Sequence, residues 1–167
     1  MSDINEGAPT FADVLEVVDE GPPRITAIPT SLSSIRITNK PYNTGVVNVP
    51  STFWNDFQMT RITVTWRRAD GGPTSGTGWT LTDFDFETGT TEIIPAGQTV
   101  EMGLQVVPVS MKSAIPFVNA RNPIDGGTGE NFRLIADLVF VGHPVTAPDT
   151  EYTFTASTTV EIADYAD

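Results

Sequence analysis

Asp83, Asp85 and Glu87 alternate with Phe84 and Phe86. On an extended strand this spacing sets three carboxylates on one face, with neighbours roughly 7 Å apart. Hard cations such as Ca²⁺ take oxygen ligands at about 2.3–2.6 Å. Two of these side chains can share an ion only where the strand kinks, so Asp83, Asp85 and Glu87 are the candidate metal ligands. The competing reading is the solvated face of an amphipathic strand. Glycoside hydrolysis asks more, because a retaining pair of carboxyl groups must stand about 5 Å apart, and nothing sets a second acid opposite these three.

The remaining candidates are single residues or loops. His143 is the sole histidine and lies between Gly142 and Pro144. Triads and histidine zinc sites need partners, so a turn residue at a strand end is the simpler reading. No Gly-x-Ser-x-Gly elbow occurs, and there is no cysteine for a thiolate nucleophile, a thiolate metal site or a disulfide. The loop Asp125–Glu130 is acidic and glycine-rich without a lysine. It makes a poor phosphate cradle; Ca²⁺ or plain turn chemistry suits it better. Trp54, Trp66 and Trp79 with Tyr42 could line a sugar platform. Trp66 falls on the apolar side of its segment and reads as core. Trp54, beside Phe53 and Phe57, reads as a loop anchor or an interface residue. The expectation is a chain that is not an enzyme and holds no cofactor, calcium aside.

The elements that must carry these residues are mostly strands. Arg24–Ile28, Ile35–Thr38 and Val46–Val49 are short extended candidates. In Arg61–Arg67, Ile62, Val64 and Trp66 alternate with polar residues, the mark of a half-buried strand. Trp79–Glu87 is a strand with a phase slip near Thr82. Thr99–Val107 and Tyr152–Ile162 each keep one apolar face. Phe132–Val141 is apolar enough for burial on both faces, and Pro116 confines Ile115–Asn119 to an edge. The sum is about eight antiparallel strands, an all-β sandwich of jelly-roll or immunoglobulin-like connectivity.

Ahead of it stands a different period. Phe11, Val14, Leu15 and Val18 follow the spacing of a helical stripe, with Thr10 as N-cap and Gly21-Pro22-Pro23 as the stop. A strand through Val14–Val18 is the alternative. The layout is therefore an acidic arm over residues 1–23 with an amphipathic helix, then a sandwich over residues 24–167. The apolar stripe either covers its own sandwich or docks on a neighbour. Phe11, Val14, Leu15, Val18 and Trp54 are the candidate interface residues.

Charge is unevenly spread. The chain has 21 acids against 9 bases over 167 residues, a net charge of −12. Residues 1–23 hold six acids and residues 149–167 hold five, without a lysine or arginine in either. The stretch between them carries ten acids and nine bases, which is nearly neutral. An acidic chain repels phosphate backbones, so nucleic acid is not an expected partner. Lys40 and Lys112 are the only lysines, a bias that fits either a salt-adapted proteome or GC-rich coding. No apolar run approaches the ~20 residues of a membrane helix. The first residues show neither the basic nor the apolar part of a secretory signal, so the expected place of synthesis and folding is the cytoplasm.

The whole-chain pattern, with the strand–turn–strand phrase Glu92-Ile93-Ile94-Pro95-Ala96-Gly97-Gln98-Thr99-Val100, resembles single jelly-roll capsid subunits. It also resembles capsid decoration and turret proteins, especially those of halophilic archaeal viruses. The resemblance carries no functional residue across. It implies a structural virion protein, major, penton or decoration, that associates with its own copies or other capsid proteins. The alternative is a non-catalytic carbohydrate- or calcium-binding sandwich module of a surface assembly.

Overall fold

The computed structural model describes residues 2–5, 10–13, 16–19, 25–27, 31–39, 56–123 and 126–164, with side chains described in 34–39, 56–123 and 126–164. The chain folds as an antiparallel β-sandwich. Its larger sheet is built on three long strands: β6 (Phe57–Arg68), β12 (Phe132–Pro144) and β13 (Tyr152–Ala163). β12 lies between the other two and is antiparallel to both. On the far side of β6 lie β9 (Phe86–Gly89) and β10 (Ile93–Ile94), and on the far side of β13 lies β2 (Thr10–Asp13). The smaller sheet runs β1 (Ser2–Asn5), β5 (Ser31–Asn39), β11 (Thr99–Val107). Two short pairs complete the set: β3 (Glu16–Asp19) with β4 (Ile25–Ala27), and β7 (Ser75–Gly76) with β8 (Trp79–Thr80).

Alternation along the strands makes the core. Met59, Ile62, Val64 and Trp66 of β6 point inward with Leu134, Ala136, Leu138 and Phe140 of β12, and they meet Ile35, Ile37, Leu104 and Val106 of the smaller sheet. Each such apolar side chain, once fully buried, contributes about 1.5–3 kcal/mol. The inward phase of β6 jumps between Met59 and Ile62 because Arg61 opposes Val141 while Met59 opposes Gly142. Thr60 is the extra residue of a bulge, and its hydroxyl donates to the Val141 carbonyl at 3.2 Å.

Several expectations change here. No helix runs through Phe11–Val18; β2 and β3 hold Phe11 and Val18, and Val14 and Leu15 lie outside the described residues. β2 finds a parallel partner in Val160–Ala163, and such long-range pairing overrides a local helical period. The N-terminal segment is thus a source of sheet strands in its described parts. Ile115–Asn119 is no edge strand: Val109–Lys112 forms a single helical turn, α1, and Phe117–Ala120 a 3₁₀ turn. Their bonds are local, from Val118 N–H to Ala114 O and from Asn119 N–H to Pro116 O, both at 2.9 Å. Met111, Phe117 and Ala120 plug the core with this segment. Phe117 stacks edge-on between Phe84 and Phe132. Val46–Val49 and Trp54 lie outside the described residues.

Arg68 closes the same end. Both carboxylate oxygens of Asp70 accept from it at 2.7 Å, and its guanidinium stands 5.1 Å over the Phe132 ring. Asp70 also accepts the Gly72 and Arg133 N–H groups at 3.0 and 3.4 Å. The Arg68 bond, helped by these two N–H groups, holds the Asp70 carboxyl far below the usual carboxylate range.

Two substitutions test this frame. A Cβ on Gly142 meets Gln58 O at 2.3 Å and the Phe57 ring at 2.6 Å, so Gly142→Ala is expected to cost about 1–3 kcal/mol by overpacking, read from urea unfolding. Asp70→Ala is expected to cost about 1–2 kcal/mol at neutral pH. Because the folded carboxyl titrates lower than the unfolded one, this contribution is whole above about pH 4 and fades as pH falls below it. Wild-type and variant stabilities should therefore converge in acid.

Candidate functional site

The three carboxylates do not share a face. Leu81–Phe84 forms a 3₁₀ turn between β8 and β9, so Asp83 sits on a turn and Glu87 on a strand, with Asp85 between them. The phase slip near Thr82 is this turn. Asp83 accepts the Thr80 N–H at 2.6 Å, and that bond, followed by one from the Thr80 side chain, lowers its carboxyl pKa. Asp85 accepts the Trp66 N–H at 3.0 Å. Glu87 accepts from the Thr63 hydroxyl at 3.3 Å and faces Arg61 Nε at 3.6 Å. Each carboxylate thus ends a different piece of backbone or side chain. Among the described residues no three acids or histidines are grouped to hold a metal ion. The shared-face reading of Asp83, Asp85 and Glu87 is corrected by the local turn that period-two counting missed.

Their structural duty is visible at β6. β9 covers Arg61–Val64 and stops there. Beyond it the Trp66 N–H is met by Asp85, and the Trp66 indole N–H donates to Phe84 O at 3.1 Å. Trp66 is buried, as its apolar phase implied. Trp79 is half-buried and lies on its own hairpin, where a Cβ on Gly76 meets its indole nitrogen at 2.5 Å. Tyr42 lies outside the described residues. His143 ends β12, with Nδ1 at 3.0 Å from Pro144 O.

One open cleft of about 430 Å³ lies where the glycine-rich loop meets the end of β13, lined among others by Asn122, Glu130, Asn131 and Asp164. Asp164 accepts the Asn122 N–H at 2.6 Å, and Asn131 donates to Glu161 at 2.5 Å. The loop is pinned rather than free, since Thr128 N–H donates to Asn119 O and Gly129 N–H to Arg121 O. A Cβ on Gly127 meets Arg121 O at 1.9 Å, so that glycine is required by close approach. Asp125 lies outside the described residues. The sequence marked a glycine-rich loop over Asn122–Asn131 but not Asp164, which only tertiary pairing brings beside it.

The outer faces carry paired charges. Arg67 reaches Asp137 at 2.6 Å, Arg36 reaches Glu101 at 2.9 Å and Arg133 lies 3.8 Å from Glu161. The bonds from Ser34 and Arg36 lower the Glu101 carboxyl pKa. The smaller sheet ends on β11, which has β5 as its one strand partner among the described residues. Among the described residues, the other main-chain edge of this nine-residue strand is therefore open, with a bulge after Gln105.

No protein-family model, curated protein or solved structure matches the chain.

The separate engagement of the three acids gives a direct test. Millimolar Ca²⁺ is expected to leave Tm unchanged in a thermal melt. A rise of several degrees that Asp83→Asn or Glu87→Gln removes would restore the shared-ion reading.

Proposed function

We propose that this chain is a structural subunit of a virion shell, a capsid or capsid-decorating sandwich that assembles with its own copies or with other capsid proteins. The observation that carries the reading is the edge of β11, which is open among the described residues: such a strand at a sandwich rim is a template on which another chain can pair. Further support comes from the outer faces, where Arg36, Arg61 and Arg67 each face a carboxylate on a neighbouring strand, so these faces are locally balanced although the chain as a whole carries −12. On this reading the protein resides in the virion.

Light scattering on the purified chain at low and high salt checks the reading. The expected mass exceeds that of one chain in at least one condition. A single-chain mass at every salt and protein concentration overturns the self-assembling shell subunit and leaves only a decorating chain that docks on other capsid proteins.

A further inference from the structure

Resting on that assembly reading, we propose that β11 is where two copies of this chain join, edge to edge and antiparallel about a two-fold axis at Gly103. Asn39 N–H donates to Gln98 O at 3.0 Å, which sets the hydrogen-bonding phase at that pair. Antiparallel ladders alternate, so Val100, Met102 and Leu104, opposite Ile37, Ile35 and Ser33, turn their main-chain groups toward β5. Thr99, Glu101, Gly103 and Gln105 turn theirs to the open edge. No proline or lysine guards that edge, and its one charge, Glu101, is already neutralised by Arg36.

The strand is self-complementary. Overlapping it fully with a second, antiparallel copy puts Gly103 opposite itself and Glu101 opposite Gln105. On the inner face Met102 then opposes Leu104, short of the bulge that follows Gln105. Met102 is half-buried in the single chain, and this register sets an apolar residue across from it. Sliding until Glu101 opposes itself sets like charges together, which is unfavourable. Gly103 lies at the centre of this register and puts no side chain on either face there; within its own chain a Cβ would meet nothing within 4 Å and its φ is not positive.

The natural chain has no cysteine, so single-cysteine variants read the geometry cleanly. Opposed residues of a hydrogen-bonded pair lie about 5.5 Å apart at Cα, within disulfide reach. Gly103→Cys is expected to form a covalent dimer on mild oxidation. Gln105→Cys is not, because its copies stand roughly 13 Å apart along the strands. By sedimentation, Gln105→Glu, which sets a carboxylate opposite Glu101 of the second copy, is expected to weaken the dimer roughly tenfold. Gln105→Lys is expected to hold it. Gln105 is exposed, so both variants should melt like the wild type, and they keep the test alive if the cysteine variant misfolds. An assembled wild type with no Gly103→Cys cross-link, or with Gln105→Glu and Gln105→Lys behaving alike, overturns the β11 contact and leaves the assembly reading standing. A wild type of single-chain mass throughout overturns both the β11 contact and self-assembly.

Discussion

The fold rests on β12 being paired along its length on both sides. Residues Leu134–Pro144 face β6 and Phe132–Gly142 face β13. A strand with two partners has nearly all its main-chain groups satisfied by ladder bonds, so its side chains are free to be apolar on the inner face. That row, from Phe132 through Leu134, Ala136 and Leu138 to Phe140, is the floor on which the smaller sheet sits. The one irregularity in the ladder, at Thr60 and Gly142, bends β6 where Phe57 crosses Gly142. Phe57 there meets Phe154, which in turn stacks on Phe140. The bulge, the glycine and the aromatic group therefore form one arrangement: a larger residue at position 142 would push Phe57 out of it.

The long strands were legible because their period is set by burial on one face. Ile62, Val64 and Trp66 announce β6, and Thr99–Val107 coincides with β11. What was not legible came from contacts distant in sequence. The stripe Phe11–Val18 has a helical period, yet β2 pairs in parallel with β13 some 150 residues away. Trp79–Glu87 alternates well enough to pass for a strand, and only the bond from Thr80 N–H to Asp83 reveals the turn. Ile115–Asn119 carries strand-forming residues, but Pro116 and the need to bury Phe117 favour local bonds. The phrase Glu92–Val100 does turn, but β10 and β11 belong to different sheets, so it is a crossing between layers and not a hairpin. Of the candidate site, the residue names were readable and their convergence was not. Spacing along a strand says nothing once the strand turns.

Charge and topology combine in a way that composition alone hides. Part of the charge in the nearly neutral middle is balanced locally, as Arg36, Arg61, Arg67 and Arg68 each face a carboxylate of that stretch, while Arg133 faces Glu161 of the acidic C-terminal segment. The acidic excess belongs to the ends, and the N-terminal strands β1 and β2 lie at the rims of the two sheets. β1, which includes Asp3, closes one edge of the smaller sheet; β2, which includes Asp13, closes one edge of the larger sheet beside the segment holding Glu161 and Asp164. Charges on edge strands discourage pairing with further chains. Those two edges thus gather like charge, and a second copy bringing the same edge is repelled.

The opposite rims differ. On the β6 side the edge is broken into short β9 and β10, and Asp85 takes the Trp66 N–H beyond β9. An edge so divided offers no long run of free groups. β11 has neither device: it is nine residues long, unbroken up to its bulge near Gln105, and its one acid is held by Arg36 on the neighbouring strand. Selection against aggregation normally removes such an edge or covers it. With no strand beyond it among the described residues and Gly103 at its centre, β11 is the rim on which the proposed pairing rests.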